Sequence, residues 1–209
     1  GLGDGYKSQG GDEIREIRPG VMYVDLDRAA IGSINARLPA LASASAIIFD
    51  MRGYPNGNHD ILRHLLPRPD DSKWMHVEQI TLPDRESISG TKELGWAMQP
   101  REPKLTGEIA FLTDARAISY AESVMGFVEH YALGEIIGQP TAGANGNVAR
   151  VVLLGGISIS FSGMRVVKHD GSRLHAIGIT PTVPVQRTVE GIRRGRDEVL
   201  DRAVELVGG

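Results

Sequence analysis

The chain contains no cysteine, which excludes disulfides, thiol catalysis and thiolate zinc sites while leaving an oxidising compartment open. It lacks any apolar run approaching the length needed to span a bilayer. It also lacks a large charge of either sign: the net charge is -3 with six histidines neutral, so no electrostatic case exists for nucleic acid or an anionic membrane as a partner. No repeat of fixed period and no low-complexity tract is present. The chain starts Gly-Leu-Gly, without Met and without a basic, apolar, small-residue leader, and such a start reads as a cleaved product or a part of a longer protein. What remains is 209 residues, 41% hydrophobic and 23% charged, a size and balance that support one substantial domain with a real core.

Residues 1–18 are Gly-rich and mixed in charge, with no apolar periodicity until Ile14 and Ile17, and read as a flexible leading segment. Residues 19–209 read as the folded domain. After Pro19-Gly20, a strand is expected over Val21–Leu26 and a helix over Ala29–Leu41, with Pro39 awkward near its end. Ala46-Ile-Ile-Phe-Asp50 is a short continuous apolar run of the kind found in a strand covered on both faces. Asp50-Met-Arg-Gly-Tyr-Pro-Asn-Gly57 follows as a turn-rich segment, either an ordinary loop or a place where glycine lets backbone N–H groups approach a ligand. A short helix is expected over His59–Leu66. Residues 67–106 are the least regular part, with an extended strand expected over Trp74–Leu82.

A buried strand is expected over 107–113, and the stretch behind it, Asp114-Ala-Arg-Ala-Ile-Ser-Tyr-Ala-Glu-Ser-Val-Met-Gly126, is the pivot of the chain. Its apolar spacing turns helical from the 120s to Leu133-Gly134, so Ser119 falls where a strand ends and a helix begins. Two readings stay open there. Ser119 is an N-cap whose capping box is completed by Glu122, or it is a nucleophile set beside the free N–H groups of a first helical turn, which can hold an oxyanion. Beyond it, Glu135–Gly138 is a strand candidate and Gln139–Asn147 a third glycine-bearing loop. Strands at 148–154, 157–162 and 164–168 are separated by glycine turns, 174–185 is extended and broken by prolines, and Glu190–Val207 is an amphipathic terminal helix. The sum is an α/β fold with an added β segment.

These segments resemble the tail-specific or carboxyl-terminal processing proteases, the S41 peptidases, whose core has a ClpP/crotonase-like fold. Asp50-Met-Arg-Gly-Tyr-Pro-Asn-Gly57 is similar to the family's D-L-R-x-N-P-G-G, Ala117-Ile-Ser-Tyr-Ala-Glu122 to S-A-S-A-S-E, Gly138-Gln-Pro-Thr-Ala-Gly143 to G-E-x-T-x-G, and Gly178-Ile-Thr-Pro181 to G-V-x-P. The resemblance implies Ser119 as nucleophile, and an oxyanion hole formed by the N–H of Tyr120 with one from the Asn56–Gly57 turn. It is closer to the tricorn-core branch than to the serine-lysine branch, because Ala144 stands where the latter carries its lysine. The tricorn-core branch uses a histidine from the start of its catalytic region and a glutamate just before G-V-x-P. Here His175 holds the glutamate place and no histidine precedes His59. Either the base lies in an N-terminal part outside these residues, or His175 serves, a neutral imidazole being a sound general base near neutral pH.

The expected activity is therefore serine endopeptidase chemistry on unfolded or partly folded polypeptides, with no cofactor and no metal. The resemblance further implies an extracytoplasmic setting, and a homo-oligomer is left open. A catalytically inactive peptide- or ligand-binding module on the same fold is the alternative, motivated by the missing lysine and the open question of the base. A crotonase-like acyl-CoA enzyme fits less well, since it would leave Ser119 without a role.

Overall fold

The computed structural model describes residues 11–80 and 87–207. In chain order its elements are β1 (Ile14–Arg18), β2 (Val21–Asp25), α1 (Ile31–Ser43), β3 (Ala46–Asp50), a 3-10 helix (His59–His64), β4 (Met75–Ile80), β5 (Ile88–Leu94), β6 (Glu108–Thr113), α2 (Tyr120–Tyr131), β7 (Glu135–Gly138), β8 (Val148–Val152), β9 (Ser158–Ser162), β10 (Arg165–Val166), β11 (Val183–Pro184), α3 (Val189–Arg193) and α4 (Glu198–Val207). Six strands form one sheet in the order β1-β2-β3-β6-β7-β11. β1 is an antiparallel edge on β2, and every other neighbour pair is parallel. Parallel neighbours need long crossovers, and α1 and α2 supply them between β2 and β3 and between β6 and β7.

The continuous apolar run at 46–50 shows why the sheet is covered on both faces. Successive side chains point to opposite sides, so Ile47 and Phe49 enter one core with Ile34, Leu41, Phe111, Val124 and Phe127, while Ala46 and Ile48 enter the other with Ala110, Leu112, Val199 and Ala203. All five residues of β3 are buried, and each large apolar side chain sequestered this way contributes about 1.5–3 kcal/mol. The first core lies under α1, the 3-10 helix and α2, and the second under α4. Three layers result, with the carboxyl ends of the parallel strands opening toward the turns at 50–57, 114–119 and 139–147.

Several expectations shift. Residues 14–18, read as part of a leading segment without regular structure, form edge strand β1, where Arg15 lies over the Tyr23 ring at 4.3 Å; residues 1–10 lie outside the described residues. Pro39 is accommodated inside α1 because it sits on the exposed face, where the carbonyl it leaves unpaired has access to water. The short helix expected over His59–Leu66 is the 3-10 helix His59–His64. β5, unread in the irregular stretch, pairs antiparallel with β4, and Thr81 and Leu82 of the expected 74–82 strand lie outside the described residues. The strand expected at 164–168 shrinks to β10 and joins β4 rather than the hairpin of β8 and β9. The terminal helix divides into α3 and α4 at Gly195, whose φ of +66° ends a helix more readily than it continues one.

Candidate active site

β6 ends at Thr113, and the chain reverses through an Asp114 turn. The Asp114 carboxylate accepts from the Arg116 N–H at 2.9 Å and pairs with its guanidinium at 2.8 Å, and the Ala117 N–H donates to the Asp114 carbonyl. Ala117 is buried, Ile118 is 42% exposed and Ser119 is half-buried. Ser119 is therefore partly accessible rather than fully interior. Ser119 has φ 57° and ψ -111°, a backbone state that L-residues avoid and that persists only where the surroundings hold it. A serine on a strained strand-to-helix turn projects its hydroxyl outward, away from the sheet it follows.

The Ser119–Glu122 pair has the layout of a capping box, in which the Glu122 carboxylate accepts from the Ser119 N–H at 3.3 Å, and the Glu122 N–H also donates to the Ser119 carbonyl at 2.9 Å. The cap is therefore present, and Glu122 reaches beyond it. Its carboxylate is 1% exposed and accepts from the Thr141 hydroxyl and the Gly143 N–H, both at 2.7 Å, from the Ala144 N–H at 2.9 Å and from the Ser119 N–H at 3.3 Å. The Ser119 N–H also donates to the Ala144 carbonyl at 3.0 Å. Hydrogen bonds to a charged group contribute about 1.5–3 kcal/mol each, so the third glycine loop is fastened to the first turn of α2.

The same loop is stitched to the segment before β11. Thr141 exchanges bonds with Ile179 through its N–H at 3.1 Å and its hydroxyl at 2.8 Å, and the Ala176 N–H donates to the Gly143 carbonyl at 2.8 Å. Gly178 has φ +75° and a Cβ there would lie 2.5 Å from the Thr141 carbonyl oxygen, so glycine is required at that crossing on two counts.

The 50s turn approaches from the other side. The Tyr120 Oη lies 2.7 Å from His59 Nδ1 and accepts from the His59 N–H at 3.1 Å, and the Tyr54 and Tyr120 rings are 5.7 Å apart. Burial lowers the His59 pKa from its ordinary range and raises that of the Tyr120 phenol. The 50s turn, the serine turn and the 139–147 loop therefore meet at the start of α2. The 50s turn is anchored from beneath by Arg52, 2% exposed, whose guanidinium bridges Asp50 at 2.7 Å and Asp197 ahead of α4 at 2.6 Å.

Among the expected site residues, the Tyr120 N–H donates to no acceptor within the described residues, as the first amide of a helix should. The two amides of the 50s turn are engaged. Asn56 N–H donates to the Leu26 carbonyl at 2.9 Å, and Gly57 N–H closes a three-residue turn on the Pro55 carbonyl at 3.0 Å. The Asn56 bond ties the turn to the end of β2, so that amide is a structural donor; the Gly57 bond belongs to a tight, bent ring that competes poorly with a better-aligned acceptor. A Cβ on Gly57 would meet nothing within 4 Å, which leaves open space beside it. His175 is half-buried and its Nε2 accepts from the Val166 N–H at 3.3 Å. Its segment reaches the 139–147 loop, but the ring is turned toward β10, and among the described residues no imidazole or amine is hydrogen-bonded to the Ser119 hydroxyl. No group of three or more His, Asp or Glu among the described residues is placed to hold a metal ion, and none of their helices is long and apolar enough to cross a membrane.

Comparisons with known proteins bear on this arrangement. Residues 21–185 match the family model described as Peptidase family S41. Among solved structures, the chain superposes on a candidate peptidase from Parabacteroides merdae ATCC 43184 with a TM-score of 0.77 and 19% identity, covering 100% of this chain and 68% of that one. On mature CPAF complexed with lactacystin the TM-score is 0.71 at 16% identity, covering 90% and 51%. On the photosystem II D1 C-terminal processing protease it is 0.54 at 16% identity, covering 86% and 47%. The chain thus spans about two thirds of the first and about half of the other two. No curated protein matches the sequence. At these identities the superpositions establish the fold, a mixed α/β core with a parallel sheet of the ClpP/crotonase type.

Proposed function

This chain belongs to peptidase family S41, and from that premise we propose that it is a serine endopeptidase acting on unfolded or partly folded polypeptides through an acyl-enzyme at Ser119. The observation that carries the reading is the half-buried Ser119 on its strained turn, next to a Tyr120 N–H that has no acceptor among the described residues.

In the proposed reaction Ser119 Oγ attacks the scissile carbonyl while a general base takes its proton. The carbonyl oxygen becomes an oxyanion held by the Tyr120 N–H, and the Gly57 N–H is the second donor once it leaves the Pro55 carbonyl. Each such donor is worth about 2.7–4 kcal/mol in the transition state. The base then protonates the leaving amine, and water releases the acyl group by the reverse sequence. His175 is the proposed base; to act it must turn its Nε2 from the Val166 N–H toward Ser119. An extracytoplasmic setting accompanies this reading and is checked by fractionation of cells.

A second reading rests on one observation: the Ser119 hydroxyl has no basic partner among the described residues. On it, the same fold binds polypeptide without cleaving it. Turnover of an unstructured polypeptide, such as casein, separates the two. Cleavage that disappears in Ser119→Ala supports the peptidase; binding of the polypeptide without cleavage by the wild type supports the binding module.

A further inference from the structure

Ser119 occupies a backbone state that does not hold itself, and on the side of the third glycine loop its bracing is plain: the Ala144 carbonyl and the Glu122 carboxylate both take its N–H. A residue held from one side only can relax toward the other. The opposing brace is the Tyr120 side chain, whose phenol carries its hydrogen bonds. Its oxygen accepts from the His59 backbone N–H at 3.1 Å and lies within hydrogen-bond distance of His59 Nδ1, 2.7 Å away. The His59 ring is packed on one face: it lies against Trp96 at a centroid distance of 4.4 Å and an interplanar angle of 30°, and Trp96 in turn meets the Tyr120 ring edge-on at 5.6 Å.

We propose that His59 and Tyr120 form a positioning pair, in which the His59 Nδ1–Tyr120 Oη hydrogen bond holds the phenol and so fixes the Ser119 turn, and the Tyr120 N–H, against the 50s turn. The inference rests on the serine peptidase reading but concerns two side chains that the reading leaves without a task. Tyr120 serves at both ends: its backbone N–H faces the reacting carbonyl, and its side chain sets where that N–H points. The aromatic group around it lies beside the turn that carries Gly57, so one hydrogen bond couples the two halves of the proposed oxyanion site.

The test compares wild type, Tyr120→Phe, His59→Leu and His59→Asn, the last of which places a carbonyl oxygen near the position of Nδ1. Steady-state kinetics on a polypeptide substrate should show kcat falling on the order of 10- to 100-fold in Tyr120→Phe and His59→Leu, KM changing by no more than about twofold, and most of the loss restored in His59→Asn. In parallel, amide hydrogen exchange at 119–122 should quicken in Tyr120→Phe and His59→Leu and return toward wild type in His59→Asn. A kcat unchanged in both deleting variants, or His59→Asn as impaired as His59→Leu with equal stability, overturns the pair. Should the wild type itself neither cleave nor label, the peptidase reading fails instead, and the exchange pattern still decides the positioning pair: unchanged exchange in Tyr120→Phe and His59→Leu refutes it.

Discussion

The Ser119 N–H donates to the Ala144 carbonyl at 3.0 Å, across 25 residues of sequence that include all of α2 and β7. That bond makes the serine turn and the third glycine loop one unit, and the Glu122 carboxylate closes the unit from inside. A serine that merely capped a helix would need neither.

Removing the carboxylate should release the loop. Glu122→Ala leaves the Thr141 hydroxyl and the Gly143 and Ala144 N–H groups without their buried acceptor, and urea denaturation should show a loss of roughly 3 kcal/mol. Peptidase activity should fall further than the unfolded fraction explains, because the Ser119 N–H loses one of its two acceptors. Stability within about 0.5 kcal/mol of wild type would show that the loop is held by other means.

Arg52 and Asp197 are expected to be coupled. Their side chains are 3% and 20% exposed and meet through two bonds of 2.6 and 2.7 Å, so a double-mutant cycle with Arg52→Met and Asp197→Asn should give an interaction energy of roughly 1–3 kcal/mol. Arg52→Met alone should be the more damaging, since it also strips Asp50, a fully buried carboxylate, of its guanidinium partner. Additive single effects would place α4 outside the support of the 50s turn.

These supports explain which parts of the molecule could be read from residues alone. Apolar runs such as Ala46–Asp50 announce a doubly covered strand because burial on both faces demands them, and the helix start at Tyr120 is announced by spacing. The positions of Asn56 and Gly57 were legible as a turn beside the site, yet the commitment of the Asn56 N–H to Leu26 was not, because that acceptor comes from a strand 30 residues earlier. Glu122 shows the same limit: S-x-x-E spacing describes the local box, and only the folded chain brings Thr141, Gly143 and Ala144 to its carboxylate. The His59–Tyr120 contact carried no local signal at all, since its partners are 61 residues apart. Strand β5 went unread because its residues are mostly exposed and carry no alternation of buried and solvent-facing types.

Acid should destabilise the protein through His169. This ring is wedged among Trp74, Phe127 and His130, and burial lowers its pKa from 6.5 to about 4, with the His130 charge acting in the same direction and Asp70 and Asp170 opposing it. The unfolded chain takes up the proton near pH 6.5 and the folded chain only near 4, so this contribution is fully retained above 6.5 and lost as the pH falls between those values. The loss should amount to on the order of 2 kcal/mol, allowing for partial exposure of the ring. Denaturation curves of wild type and His169→Phe between pH 7 and pH 4 check it: the variant should lose less stability over that interval, and parallel curves would exclude His169 as the source.

The most direct measurement is reaction of the purified protein with a fluorophosphonate, followed by peptide mass mapping of the adduct. The account predicts a single modified residue, Ser119, formed in a time-dependent reaction that Ser119→Ala abolishes and that a polypeptide substrate slows. An adduct on another serine, or no adduct on Ser119 under conditions in which the protein cleaves polypeptide, would contradict the assignment of this hydroxyl as the nucleophile.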